Sequence, residues 1–387
     1  MSNIKAITGG EAVAEAMKQI NPDVVAAYPI TPQTIIMQKF ADFHADGLVD
    51  SEMVRVESEH SAMSCVIGSS AAGARSMTAT ASAGLALMWE VVGIAAGLRL
   101  PMVMAVANRA LSAPINIHCD HSDAMGARDL GWIMLFSENG QEAYENMFLA
   151  TRLGEHKGIF LPVMVNLDGF ITSHGVENIK TYDDETIKKF VGERVANKPL
   201  LDTNTPVTYG PLQLQDYYFE TRFQQIPAME KVKKAYLEIG KELSKITGNK
   251  YDYFEKYQMD DAEAVIVTMN STSGTTKTVI DRLRKGGKKV GLLKIRLFRP
   301  FPYEEVMEAL KDIKTIAVLD RAASFGSHAP LYSEIRNSLY DLKKRPNLHS
   351  CVFGLGGRNI YETDIEDVFT KLLNEDLEEI SYIGLRK

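Results

Sequence analysis

The stretch Val24-Val-Ala-Ala-Tyr-Pro-Ile-Thr-Pro32 decides the fold, because a short apolar run leads into a proline turn and then into a polar residue. An apolar run of this length, bounded by Asp23 and Pro29, is typical of a buried strand. Thr31 followed by Pro32 is typical of a helix N-cap and the first helical position. The stretch therefore predicts one unit of strand, turn and helix.

Three more units with the same pattern follow before residue 110. Their apolar runs lead to a polar or charged residue as follows: Met53 to Val56 leads to Glu59, Ser76 to Thr80 leads to Ser82, and Pro101 to Ala107 leads to Arg109. Ser58 and Ser82 are predicted to cap the helices of two of these units. Alternation of strands and helices predicts a mostly parallel sheet with helices on both faces.

Ligands of open parallel sheets bind beyond the carboxyl ends of the strands. We therefore expect the hydroxyl of Thr31, the carboxylate of Glu59 and the guanidinium of Arg109 to converge on one edge. This combination is suited to an anionic substrate that carries a carbonyl group.

A second α/β unit is predicted in the last third of the chain, with strands at Ala264 to Thr268, Lys289 to Ile295, Thr315 to Leu319 and His349 to Phe353. A more polar connector precedes it and contains one amphipathic helix from Pro227 to about Gly248. The fold class is therefore α/β with two parallel-sheet domains. The predicted boundaries are 1–226 for the first domain with a trailing connector, 227–261 for the linker helix and connector, and 262–387 for the second domain.

Composition excludes several classes of protein. A length of 387 residues suits two domains. The net charge of -7 argues against the basic surface of a nucleic-acid-binding protein. The apolar segment from Ala62 to Ala107 is interrupted by charges, and the N-terminus has no signal-peptide pattern, so we expect a cytoplasmic protein without membrane attachment.

The chain has three cysteines, Cys65, Cys119 and Cys351, and no CxxC pair. This spacing offers no zinc or iron–sulfur ligand set. The acids and histidines of His118 to Asp123 favour a polar loop at a pocket rim over a metal site. No metal ligands are predicted in this chain, so metal or cluster chemistry is expected on other chains.

Each candidate residue also has a purely structural interpretation. Acidic residues such as Glu59 are favoured in the first turn of any helix, and Thr31 fits an ordinary cap. Arg109 is harder to explain without a ligand, because it follows an apolar strand and precedes small, apolar residues. An unpaired guanidinium in such surroundings is costly, so we expect it to meet a carboxylate.

Four segments carry a family resemblance, namely Tyr28-Pro-Ile-Thr-Pro32, Val56-Glu-Ser-Glu-His-Ser-Ala62, Asn108-Arg-Ala-Leu-Ser-Ala-Pro114 and Asp168-Gly-Phe170. In this order they resemble the alpha subunit of pyruvate:ferredoxin oxidoreductases. The similarity extends to the turns Arg299 to Pro302 and Gly354 to Gly357, and so covers the whole chain.

The resemblance implies a pyrimidine-type thiamine-diphosphate domain followed by a transketolase C-terminal-like domain. It implies that Glu59 hydrogen-bonds N1′ of the aminopyrimidine ring and that Pro29 and Ile30 also contact the cofactor. Thr31 and Arg109 would hold the substrate carboxylate, which makes Glu59, Arg109 and Thr31 the catalytic set. The cofactor would be the electron sink when carbon dioxide leaves.

The resemblance also implies partners. Thiamine diphosphate would be shared with a beta subunit that holds Mg²⁺ and the diphosphate. The [4Fe-4S] clusters would lie on partner subunits, among them a ferredoxin-like delta subunit, and a gamma subunit would complete the heterotetramer. Coenzyme A would be the co-substrate and ferredoxin the electron acceptor in anaerobic metabolism, and this chain alone would be inactive.

Alternatives remain open from sequence alone. Pyruvate is the leading substrate, and branched-chain or other 2-oxo acids come second. A thiamine-dependent, transketolase-like component with another electron acceptor is a further enzyme hypothesis. A non-catalytic assembly subunit is the alternative outside enzymes.

Overall fold

The computed structural model describes residues 3–386 and shows a mixed but mostly parallel α/β fold. The strands of the first part of the chain are β1 (Asn3–Thr8), β2 (Val24–Ala27), β3 (Glu52–Arg55), β4 (Ser76–Thr80), β5 (Val103–Asn108), β6 (Ile133–Ser137), β7 (Val163–Asp168) and β8 (Val176–Thr181). The helices of this part are α1 (Gly9–Ile20), α2 (Thr34–Ala45), α3 (Glu59–Ala72), α4 (Ser82–Leu87), α5 (Trp89–Gly97), α6 (Ser122–Ala127), α7 (Gly140–Gly154), α8 (Asp184–Val191), α9 (Tyr218–Phe223) and α10 (Gln225–Thr247).

The second part of the chain continues the alternation of strands and helices. Its strands are β9 (Phe254–Tyr257), β10 (Ala264–Thr268), β11 (Val290–Ile295), β12 (Leu297–Arg299), β13 (Thr315–Asp320), β14 (Asn347–Phe353) and β15 (Ile380–Ile383). Its helices are α11 (Thr272–Lys285), α12 (Tyr303–Leu310), α13 (Pro330–Leu339) and α14 (Glu362–Asn374), with a short 3-10 turn at Leu355–Gly357.

The first sheet has the strand order β12-β6-β7-β5-β4-β2-β3. Strands β2 to β7 pair in parallel, and only β12 runs antiparallel, against β6. The carboxyl ends of β3, β2, β4 and β5 are therefore neighbours at one edge. The predicted parallel sheet is confirmed, and its order brings together the segments that carry the candidate residues.

The second sheet has the order β15-β14-β13-β10-β11-β9. Its strands are parallel except β9, which pairs antiparallel with β11. Strand β12 links the two sheets. It follows β11 of the second sheet directly along the chain but pairs with β6 of the first sheet. The domain boundaries at residues 226 and 261 stay a prediction.

Helix α10 matches the predicted amphipathic helix and begins two residues earlier than its proline. It buries an apolar stripe that includes Val232, Tyr236, Ile239 and Leu243 against the core of the first sheet. No helix within residues 3–386 is long and apolar enough to cross a membrane.

The predicted helix caps have different outcomes. Ser58 caps α3, since its hydroxyl accepts a hydrogen bond from the Ser61 amide at 3.2 Å. The cap prediction for Thr31 is wrong, because residues 31–33 form a turn and α2 begins only at Thr34. The cap prediction for Ser82 is also wrong, because Ser82 is the first residue of α4 and its polar groups make tertiary bonds.

Candidate functional site

The candidate site lies beyond the carboxyl ends of β2 to β5, where four connections leave the sheet side by side. Thr31 follows β2, Glu59 follows β3, Ser82 follows β4 and Arg109 follows β5. The strand order places these connections next to one another. This edge is where open parallel sheets bind ligands.

Glu59 is a buried carboxylate at the first position of α3. Only 7% of the residue is exposed. No group within residues 3–386 donates a hydrogen bond to its carboxylate, and no cation of this part of the chain pairs with it. The dipole of α3 favours the negative charge, but a buried acceptor without a donor is costly. The carboxylate is therefore available to a donor from a ligand.

Gly84 of α4 forms the wall against which Glu59 packs. A Cβ atom on Gly84 would lie 2.8 Å from Oε1 of Glu59, 2.9 Å from its Cγ and 2.6 Å from Oγ1 of Thr80. The hydroxyls of Thr78 and Thr80 are buried and have no hydrogen-bond partner within the described residues. Glycine at position 84 thus leaves room for the glutamate at this edge.

Arg109 is a buried cation, of which 6% is exposed. Its Nε donates to the backbone oxygen of Asn116 at 2.9 Å, and its Nη1 donates to the backbone oxygen of Thr31 at 2.9 Å. Carbonyl oxygens hold the guanidinium, and no carboxylate from residues 3–386 neutralises it. The carboxylate expected beside Arg109 does not come from the described part of the chain, so the positive charge is free to bind an anionic ligand.

Asp123 joins the two connections that carry Gly84 and Arg109. Its Oδ2 accepts from the amides of Ser82 at 2.9 Å and of Arg109 at 3.0 Å. Its Oδ1 accepts from Nδ2 of Asn108 at 3.0 Å and from the amide of Ala124 at 2.7 Å. Burial raises the pKa of Asp123 to about 6, although these donors oppose the shift. Sequence inspection places Asp123 only in a polar loop and does not find this role.

The turn after β2 supplies the remaining predicted residues. Thr31 is exposed, and its backbone oxygen accepts from Arg109. Pro29 is exposed and Ile30 is half-buried. The structure thus brings Thr31 and Arg109 into contact, with Glu59 further along the same edge. The roles assigned to Glu59, Arg109, Thr31, Pro29 and Ile30 stay predictions.

A second buried polar cluster lies at the carboxyl end of β7. Asp168 contacts Nε2 of His121 at 2.7 Å and Nδ2 of Asn270 at 2.8 Å, and it accepts from the hydroxyl of Ser271. Although burial opposes ionisation, the charges of Arg321 and His121 lower the pKa of Asp168. The cluster ties the first sheet to the start of α11, and Nδ1 of its His121 is buried without a hydrogen-bond partner within the described residues.

Comparisons with known families agree with this architecture. Residues 15–241 match the family described as pyruvate flavodoxin/ferredoxin oxidoreductase, thiamine-diphosphate-binding. Residues 262–365 match the core domain II of pyruvate:ferredoxin oxidoreductase.

Similar curated proteins cover nearly the whole chain. The pyruvate synthase subunit PorA of Thermotoga maritima is 60% identical over 384 residues, which are 99% of this chain and 98% of that protein. The PorA subunit of Methanocaldococcus jannaschii is 46% identical over 100% of this chain and 99% of that protein. The ketoisovalerate oxidoreductase subunit VorA of Pyrococcus abyssi is 40% identical over 98% of this chain and 95% of that protein.

Two solved structures share the fold. A 2-oxoglutarate:ferredoxin oxidoreductase from Magnetococcus marinus, with 2-oxoglutarate, coenzyme A and succinyl-CoA bound, superposes with a TM-score of 0.75 at 19% identity. The match covers 97% of this chain and 65% of that chain. A split-gene transketolase, described as an inactive beta4 tetramer, gives a TM-score of 0.59 at 12% identity, over 96% of this chain and 99% of that chain.

Proposed function

The chain belongs to the pyruvate:ferredoxin oxidoreductase family, and from this premise we propose that it supplies one side of a thiamine-diphosphate site that acts on pyruvate. It is the alpha-type subunit of an oxidoreductase, as its PorA relatives are named. The reaction joins the acetyl part of pyruvate to coenzyme A, releases carbon dioxide and passes electrons to ferredoxin, or runs in reverse.

One observation carries the proposal, namely two buried charges of opposite sign at one sheet edge that lack counter-charges within residues 3–386. Glu59 is an acceptor without a donor, and Arg109 is a cation without an anion. Cofactor and substrate together offer the missing groups, a ring nitrogen that can share a proton and a carboxylate. The residues present therefore fit thiamine diphosphate and a 2-oxo acid.

Glu59 would hold the aminopyrimidine ring by sharing a proton with N1′, and Pro29 and Ile30 would contact the same ring. When bound, thiamine diphosphate supplies the electron sink that decarboxylation of a 2-oxo acid needs. A hydrogen bond to this largely buried carboxylate would be stronger than one in water, because the local dielectric constant is lower.

Arg109 would bind the carboxylate of pyruvate. Its Nε and Nη1 are held by backbone oxygens, whereas Nη2 has no partner within the described residues. A planar guanidinium fixed in this way orients a carboxylate as well as neutralising it. The hydroxyl of Thr31 would add a second, neutral donor that selects the orientation of the substrate.

Other subunits would complete the enzyme. A beta subunit would hold Mg²⁺ and the diphosphate of the cofactor, a delta subunit would carry [4Fe-4S] clusters, and a gamma subunit would complete a cytoplasmic heterotetramer. Three separated cysteines in this chain support the location of the clusters elsewhere. Coenzyme A would be the co-substrate and ferredoxin the electron acceptor.

Branched-chain 2-oxo acids are the second candidate substrates, because ketoisovalerate oxidoreductase subunits are 40% identical to the chain. A substrate comparison on the purified complex separates the two. We expect kcat/KM for pyruvate to exceed that for 2-oxoisovalerate, with electron transfer to ferredoxin dependent on coenzyme A. A preference for 2-oxoisovalerate would replace pyruvate by the second candidate, and activity with neither acid would contradict the proposed function.

A further inference from the structure

The guanidinium of Arg109 is held by a loop that the second sheet fastens in place. Nε of Arg109 donates to the backbone oxygen of Asn116 at 2.9 Å. Asn116 lies in the connection between β5 and α6, which contains no other regular element. The position of this carbonyl therefore depends on what holds the loop.

The side chain of Asn116 is fixed at both of its polar atoms. Its Nδ2 donates to the backbone oxygen of Gly356 at 3.0 Å, and its Oδ1 accepts from the amide of His118 at 2.7 Å. Gly356 lies in the 3-10 turn that follows β14 of the second sheet. The amide thus links the loop around Arg109 to the second sheet.

Three further hydrogen bonds fasten the same loop. The amide of Gly357 donates to the oxygen of Cys119 at 2.6 Å, and the amide of Gly356 donates to the carboxylate of Asp120 at 3.2 Å. The amide of His121 donates to the oxygen of Arg321 at 2.8 Å. The residues that make these bonds from the second part of the chain are Gly356, Gly357 and Arg321. Each follows a strand of the second sheet, so the turns at the ends of these strands hold the loop in place.

The close approach requires glycine in the turn. Gly356 has a φ of +60°, and a Cβ atom there would lie 2.4 Å from Nδ2 of Asn116. A Cβ atom on Gly357, which has a φ of +79°, would lie 2.3 Å from Cβ of His118. Any side chain at these positions displaces the loop, because contacts below about 3 Å are repulsive.

We propose that Asn116 and Gly356 are positioning residues for Arg109, through which the second domain sets the affinity for the 2-oxo acid substrate. The proposal rests on the proposed function of Arg109. The carbonyl of Asn116 and that of Thr31 fix the plane of the guanidinium, and this plane decides whether a carboxylate can bind with two parallel hydrogen bonds. If the contact with Asn116 is lost, Arg109 keeps its positive charge, but its guanidinium is no longer held in one orientation.

The test compares KM and kcat for pyruvate in the assembled complex with Asn116→Ala or Gly356→Ala. We expect KM for pyruvate to rise roughly tenfold in each variant, the effect of one hydrogen bond to a charged group. Because the cofactor-facing Glu59 is not involved, kcat at saturating pyruvate and KM for coenzyme A should change by less than about threefold.

Gly287→Ala is the matched control for the backbone strain. Gly287 has a φ of +78° in the second part of the chain, and no atom lies within 4 Å of its added Cβ. The control should keep the KM of the wild type while sharing the loss of stability that a positive φ causes. If Gly356 had only a structural role, Gly356→Ala and Gly287→Ala would have the same KM for pyruvate.

Arg109→Ala in the same assay distinguishes failure of the proposed function from failure of the positioning role alone. Unchanged KM for pyruvate in Arg109→Ala would contradict the proposed function. A raised KM in Arg109→Ala together with wild-type KM in Asn116→Ala would overturn only the positioning role. If Gly356→Ala does not assemble, Asn116→Ala alone decides, since it adds no atoms.

Discussion

Gly84→Ala tests whether the space beside Glu59 is needed for catalysis. Gly84 lies in helix α4, where alanine is intrinsically favoured over glycine by about 1 kcal/mol. A helix-propensity argument therefore predicts a neutral or stabilised protein. The structure predicts an active-site effect instead, because the new Cβ would lie 2.8 Å from Oε1 of Glu59 and 2.6 Å from Oγ1 of Thr80.

The size of the effect follows from the overlap. An ordinary contact of this kind is about 3.4 Å or longer, so Glu59 must move by roughly 0.6 Å, and misplacement on the order of 1 Å can cost about a hundredfold in rate. We expect kcat with pyruvate in the assembled complex to fall roughly tenfold or more, while the apparent Tm changes by a few degrees at most.

Gly68→Ala provides the control for Gly84→Ala, because Gly68 lies in α3 with Glu59 and its added Cβ has no atom within 4 Å. It should keep the activity of the wild type. Full kcat in Gly84→Ala, or an equal loss of activity in Gly68→Ala, would show that the space beside Glu59 is not needed for catalysis.

Three further predictions concern charged residues, two at the candidate site and one, Asp320, at the end of β13 in the second sheet. Arg109→Lys keeps the charge but loses the bonds to two backbone oxygens, so KM for pyruvate should rise roughly tenfold in steady-state assays, and an unchanged KM would argue against a directional contact. Asp123→Asn turns an amide group toward buried N–H donors. We expect a loss of about 2–4 kcal/mol in stability and a raised KM for pyruvate. Equal urea midpoints of wild type and variant would contradict the supporting role of the Asp123 carboxylate. Burial raises the pKa of Asp320 from 3.8 to about 7, so its folded state binds the proton more tightly and the stability that it contributes is lost as pH rises from about 4 to 7. In Asp320→Asn the fall in the free energy of unfolding between pH 5 and 7, measured by urea denaturation, should be smaller by about 1 kcal/mol per pH unit, and a pH dependence identical to that of the wild type would contradict the raised pKa.

The sequence was sufficient for the parallel core of both sheets. Buried strands such as β5 and β10 are continuous apolar runs, and the long helix α10 has a regular apolar stripe. The Ser58 cap before Glu59 likewise depends on residues that are close to it in sequence. These features are determined by neighbouring residues, so a local pattern contains the information.

The edge strands could not be found in the same way. Strands β1, β8, β9 and β15 are partly exposed and have no continuous apolar run. Strand β12 has three residues and pairs with β6, more than 150 positions away in the chain. Partners at such distances leave no signal in a short window of sequence.

The charged residues of the candidate site were predictable from sequence, but the residues that hold them in position were not. Glu59 and Arg109 are recognisable because each follows an apolar run. Asp123 and Gly84 are not, since their roles depend on backbone amides and on space that distant segments create. The cap prediction for Thr31 was wrong because residues 30 to 33 form a turn before α2. The amide of Ile30 donates to Oε1 of Gln33 at 3.3 Å across this turn.

The turnover of Glu59→Gln in the assembled complex tests the central claim most directly. Glutamine keeps the shape of the buried side chain but removes the negative charge that would share a proton with the cofactor. We predict that kcat with pyruvate falls at least roughly a hundredfold, the scale of general acid–base contributions, while the subunits still assemble. Turnover close to that of the wild type would contradict the account.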